Sequence, residues 1–163
     1  MKAYRPGESS HAARVRRRAA ESSPAKRREC LVLGDATDCL LDAYECVAHR
    51  AYEHFLNDGS QAGSQLEDWL KAERQILLNF PIDLHETGDF VYALASVPGA
   101  TAAGTSIGIE SQWMVILVRR PGERRAESVC VMGLPALVDA ERSIAVLADG
   151  ALGIRMPKAK SSP

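Results

Sequence analysis

Residues 138–158 read VDAERSIAVLADGALGIRMPK, two apolar stretches meeting at Asp149-Gly150 with Pro157 behind them. Residues 143–148 are apolar at nearly every position, and an Asp-Gly pair is a strong short hairpin signal because both residues tolerate positive φ. Beyond it Leu152, Ile154 and Met156 alternate with Gly153 and Arg155 until Pro157, which has no N–H for a ladder, ends the strand. The stretch therefore predicts a β-hairpin.

Working outward, the chain upstream is punctuated in the same way. Residues 81–86 predict an edge strand, Gly88-Asp89 a turn, and residues 90–97 a long apolar strand closed by Pro98-Gly99. Residues 105–111 alternate, with Ile107 and Ile109 on one face and Ser106, Gly108 and Glu110 on the other. Residues 114–118 form a continuous apolar run suited to a sandwich interior. The charged turn 121–127 leads to a strand at 128–132 and then Gly133-Leu134-Pro135. Seven short strands with no helix between them predict an antiparallel β-sandwich.

The residues Ala145, Gly150, Leu152, Pro157 and Lys158, in the spacing A-x-x-x-x-G-x-L followed by alternation and P-K, resemble the last two strands of the small heat-shock protein (alpha-crystallin) family. Pro98-Gly99 and Leu134-Pro135 stand where that family places a Pro-Gly turn and a strand ending in Leu-Pro, so the resemblance spans about residues 80–158. It implies a crystallin-type sandwich and an ATP-independent holding chaperone that binds apolar segments of unfolding client proteins. An apolar groove is expected between the strand of Ile107 and Ile109 and the strand of Ile144 and Val146, with the helical hairpin described below as its alternative cover. Ile144 motivates this, since it points away from Ala145 and Leu147 and so faces outward.

Three departures bear on assembly. Relatives carry a long excursion that pairs with a neighbouring subunit, where this chain has only residues 121–127. Positions where relatives often hold arginines carry Cys130, Val131 and Gly133. The segment after Lys158 contains no I-x-I, the motif by which relatives plug a neighbour's groove. The expected state is accordingly a dimer or small oligomer rather than a large shell. The competing functional class is a protein-interaction module of the adaptor or co-chaperone kind.

Before the strands the apolar period is helical. Leu40, Leu41, Tyr44, Val47, Ala48, Ala51, Tyr52 and Phe55 fall three or four apart, predicting one broad buried face over residues 36–56. Thr37 or Asp35 is the expected cap. Asn57-Asp58-Gly59 predicts the stop, and Ser64 with Glu67 has capping-box spacing for a second helix whose stripe is Leu66, Trp69, Leu70, Ile76 and Leu77. Ala51, Tyr52, Gly59, Gly63, Trp69, Ala72 and Glu73 resemble a short bacterial helix-hairpin domain of unknown function; the resemblance implies a packing module and no chemistry. Two such helices bury too little to stand alone, so they are expected to pack on the sandwich or on another copy.

Residues 1–29 hold nine Lys and Arg against three Glu, a balance of +6, leaving eleven against eighteen, −7, for the rest. Low apolar content predicts a disordered basic tail over residues 1–34, a helical hairpin over 35–79, the sandwich over 80–158 and a short tail over 159–163. The tail has a single aromatic, Tyr4, and no nucleic-acid motif, so nucleic acid is not an expected partner. Cys30, Cys39, Cys46 and Cys130 make no C-x-x-C pair and predict reduced, packed thiols; His49 and His54, five apart beside Glu45, Cys46 and Glu53, splay apart on a helix and predict no metal site. Without an apolar run near ~18 residues the chain is expected to be cytoplasmic and free of membrane. No cofactor, catalytic residue or enzyme activity is expected: the sequence has no P-loop, no G-x-S-x-G and no dinucleotide fingerprint.

Overall fold

A computed structural model describes residues 27–77 and 80–160; the basic segment up to Lys26 and the last three residues, on which part of the expected disorder falls, lie outside it. The elements run β1 (Arg28–Leu31), α1 (Ala36–Asn57), α2 (Gln65–Ile76), β2 (Ile82–Glu86), β3 (Phe90–Ser96), β4 (Thr105–Ile109), β5 (Trp113–Val118), β6 (Ser128–Gly133), β7 (Ile144–Ala148) and β8 (Ala151–Pro157). A five-stranded antiparallel sheet in the order β1-β7-β8-β3-β2 faces a three-stranded sheet β4-β5-β6. The chain is thus an antiparallel β-sandwich with a helical hairpin between β1 and β2.

The hairpin that decided the fold forms as its residues require. Asp149 and Gly150 sit at φ 48° and 76°, and Ala148 pairs with Ala151 across the turn. Gly150 is also held by its neighbours: Val97 N–H donates to its carbonyl at 2.7 Å, and a Cβ there would come within 3.0 Å of the Pro98 Cα. The Pro98-Gly99 turn therefore packs on the Asp149-Gly150 turn, joining two motifs that lie far apart in sequence. Ala145, Leu147, Leu152, Ile154 and Met156 point inward against Val91, Ile107, Met114 and Ile116, all buried. Each of the larger ones contributes roughly 1.5–3 kcal/mol by leaving water.

Pro157 and Lys158 close the sheet's end. The Pro157 carbonyl accepts from Asp139 N–H at 2.8 Å, and Lys158 Nζ donates to Glu86 Oε1 at 2.6 Å. Leu134 packs against the sandwich core while its N–H donates to the Gln112 carbonyl at 2.7 Å; Pro135 is exposed.

The helices form a third layer on the outer face of β4-β5-β6. Val115, Leu117 and Val129 point away from the sandwich core and meet Cys39, Ala43, Cys46, Val47, Ala51, Ala72 and Ile76. This explains the uninterrupted apolar run in β5, which is buried on both faces. Contact is close because Gly108 faces α1: a Cβ at that position would overlap the Ala36 backbone. Arg119 fastens the layer, donating to Ser106 Oγ at 2.8 Å and pairing with Asp42 at 3.3 Å.

Two local expectations are corrected, and the choice of cap between Asp35 and Thr37 is decided. The buried face of α1 is its small-residue face, Ala36, Cys39, Ala43 and Cys46 with Val47 and Ala51, while Leu40, Leu41, Tyr44 and Tyr52 remain substantially exposed. The close approach to the sheet selects side-chain size, so bulk is turned outward. Asp35, not Thr37, caps α1, its Oδ1 accepting from the N–H groups of Thr37 and Asp38 at 2.8 and 3.1 Å. Ser64 makes no capping box with Glu67, because its hydroxyl donates to the Gln61 carbonyl and to the buried Asp68 carboxylate instead.

Candidate strand-binding cleft

Residues 28–34, placed by composition in the disordered tail, form the eighth strand and its exit. The reason is an alternation hidden among charges: Glu29, Leu31 and Leu33 fall on one face, and Leu31 and Leu33 pack against the sandwich core. β1 runs antiparallel to β7, pairing Cys30 with Val146 and Leu31 with Ala145. The chain then crosses to the other sheet, where Gly34 forms a parallel bridge with Gly108 and its N–H donates to the Ile107 carbonyl at 2.8 Å. Asp35 follows at once as the α1 cap. This one short segment spans the open end of the sandwich between β7 and β4.

Alongside it lies a cleft of about 470 Å³ lined by Leu31, Leu33, Ile109, Ser143, Ile144 and Val146, among others. Three of the four expected groove residues meet here. Ile109, buried, supplies part of its wall; Ile144, 48% exposed, and Val146 lie at its margin. Ile107 departs from the expectation, since its side chain is buried within the sandwich and only its carbonyl serves the crossing segment. Nor do the helices cover this cleft; the chain's own β1 does. Val32, 92% exposed, is the outward residue of the L-V-L triplet.

Ile144 and Val146 also belong to the outer face of the five-stranded sheet. There they join Tyr92, Leu94 and Arg155 around Gly153, whose missing side chain leaves a shallow apolar dimple. Tyr92 and Leu94 escaped sequence reading because a β3 expected to be apolar throughout gave no sign of which residues face out.

The helical residues singled out by resemblance play uneven parts. Ala72 is fully buried, and Trp69 meets Tyr44 in a tilted ring contact at 5.2 Å while donating to Glu73 Oε1 at 2.7 Å. Gly59, at φ 81°, serves the interhelical turn, where a Cβ would meet nothing; Tyr52 is 59% exposed, with its ring stacked on Phe55 of the same helix at 6.4 Å. His49 pairs with Glu53 at 3.4 Å and His54 with Gln75 at 2.9 Å, so the two rings go to different partners. Burial pushes the Cys39, Cys46 and Cys130 thiols up; for Cys39 the nearby Asp42 carboxylate adds to the effect and Arg119 opposes it. Cys46 Sγ accepts from Ala126 N–H at 3.2 Å, holding the short 121–127 turn against α1.

The class the fold defines is an antiparallel β-sandwich of two sheets, its larger sheet completed at one edge by the chain's own β1. Over about half of the chain it matches small heat-shock proteins of solved structure. Heat shock protein 16.0 from Schizosaccharomyces pombe is 24% identical, covering 53% of this chain and 92% of its own with a TM-score of 0.44. The hspA of Xanthomonas axonopodis is 20% identical, covering 54% and 99%, TM-score 0.45. A Del-C4 mutant of hsp14.1 from Sulfolobus solfatataricus P2 is 20% identical, covering 69% and 98%, TM-score 0.46. Residues 42–77 match the family described as protein of unknown function (DUF2934). No curated protein matches the chain. Among the described residues no helix is long and apolar enough to cross a membrane.

Proposed function

We propose that the protein is an ATP-independent holding chaperone that takes extended apolar segments of unfolding proteins into the cleft between β7 and β4. One observation carries the reading: the β7 edge is already paired with a short segment of the chain itself, Arg28–Leu31, and Leu31 and the following Leu33 pack inward along the cleft while Val32 points outward. Backbone pairing is indifferent to sequence, and two apolar positions in alternation make a tolerant selectivity, which suits clients that share only exposed apolar strands. β1 is four residues long and lies at a sheet edge, so a client segment competes with a small internal ligand. Subunits associate in this reading as a small closed assembly.

A second reading, an adaptor for a folded partner, draws on the apolar dimple formed by Tyr92, Leu94, Ile144 and Val146 around Gly153. Light scattering of a heat-stressed client without ATP separates the two. The purified protein is expected to suppress aggregation, and a Leu31→Ser/Leu33→Ser variant, which weakens the internal ligand, to suppress it at lower concentration. Ile144→Lys, at a half-exposed position, is expected to keep the fold and reduce protection. No suppression by any of the three at excess protein removes the chaperone reading and favours the adaptor.

A further inference from the structure

Packing α1 by its small residues leaves an unusual surface. Leu40, Tyr44, Ala48, Tyr52 and Leu56 recur every four residues along α1, and the four large ones are 41–61% exposed. Side chains at that interval form a continuous ridge on a helix surface. Leu66 and Leu70 of α2 are exposed as well, and the Tyr44–Trp69 ring contact and a hollow lined by Tyr52, Phe55 and Trp69 connect the two helices' surfaces.

We infer that this ridge is a two-fold interface on which a second copy of the chain docks, helical hairpin against helical hairpin. Area supports it. With large side chains at ~150–200 Å² each, the exposed fractions of the ridge and of Leu41, Leu66 and Leu70 together leave about 600–800 Å² uncovered. That approaches the ~800 Å² each partner contributes to a standard interface.

Shape and chemistry select the copy over other occupants. A ridge of five uncharged residues is complementary to itself, since two such ridges interdigitate at about −50°. Ala48, the one small member, lies at the ridge's centre, where the crossing helices come closest. The ridge is also preorganised, because Gly108 and Ala36 seat α1 tightly on β4, so little is lost on ordering it. The chain's basic segment fits poorly: nine Lys and Arg among residues 1–29 have no acidic partner on a ridge of Leu, Tyr and Ala. The interface rests on the small-assembly part of the functional reading and is independent of client holding.

Light scattering coupled to size-exclusion chromatography on the full chain, at low and high salt, tests it. The expected mass is twice the 17.7 kDa chain at both salts, because an apolar contact is not screened. Tyr44→Glu/Tyr52→Glu, at exposed positions, is expected to halve that mass with an unchanged far-ultraviolet circular dichroism spectrum. In a Cys30→Ser background, Ala48→Cys is expected to give a dimer when treated with a short bis-maleimide. A dimer persisting in the folded Tyr variant removes this interface and leaves the small assembly standing. A one-chain mass for the wild type removes both, and if the Tyr variant then also loses client protection, the ridge belongs to clients. A mass that falls to one chain at high salt transfers the contact to the basic segment. If the Tyr variant does not fold, failure of Ala48→Cys to cross-link overturns the proposal alone.

Discussion

The two faces of β5 look into different cores. On one side Met114 and Ile116 meet Leu152, Ile154 and Met156, large side chains interlocked between two sheets. On the other, Val115 and Leu117 meet Cys39, Ala43, Cys46 and Ala72, a layer made of small residues and close backbones. The first core gains its stability from volume. The second gains proximity, and the cost of proximity is that the helices' large apolar side chains have no room on the sheet side. That trade-off places Leu40, Tyr44 and Tyr52 in water. A helical layer fixed by small residues thus acts as a platform that presents apolar bulk outward.

Ile116→Ala breaks the comparison on its stronger side. The side chain is fully buried between the sheets, so truncation removes transfer energy and leaves a cavity. A loss of about 2–5 kcal/mol is expected, read from the urea midpoint. A loss below ~1 kcal/mol would mean the sandwich core relaxes far more than its packing implies.

Gly108→Val tests the weaker side. Its new side chain would overlap Ala36, forcing α1 off the sheet at about 1–3 kcal/mol. Amide hydrogen exchange is the sensitive readout: amides of α1 and α2 are expected to lose protection while those of β3 and β8 retain it. Equal loss in both would merge the two cores into one cooperative unit.

The smallest effect is in thiol chemistry, and it ranks the layers without any substitution. Cys30 is exposed, Cys39 and Cys46 lie under the helices, and Cys130 lies within the sandwich. A maleimide is expected to label Cys30 first, then Cys39 and Cys46, and Cys130 last. The three buried thiols have pKa values raised above the ordinary 9.0. The unfolded chain therefore gives up these protons first, so their contribution is intact below pH ~9 and is lost as pH rises through the higher folded values. Labelling of Cys130 ahead of Cys39 would reverse the order of the two cores.

Much of the sandwich was legible because its signals are local. Asp149-Gly150, Pro98-Gly99 and the alternation of Leu152, Ile154 and Met156 depend on backbone freedom and on a period of two, both written in consecutive residues. The expected edge strand emerged as β2, and the seven expected strands all formed. The cleft was legible only in part. Ile144 and Val146 face outward as the register requires, whereas Ile107 turned inward and the cleft's own strand, β1, was lost in a charge count. Net charge over some thirty residues says nothing about four residues that alternate at its end.

The sequence alone determined the presence of seven of the eight strands, the turns, the helical hairpin and the antiparallel sandwich, since each follows from steric and periodic rules acting over a few residues. Only the tertiary structure decided which face of α1 is buried, that β4-β5-β6 is covered on both sides, and that the chain's own N-terminal strand fills the edge of β7. Those outcomes depend on distances between surfaces remote in sequence. A glycine at 108 that admits Ala36 chooses small residues over large ones, and an unpaired β7 edge takes the nearest strand able to satisfy its backbone.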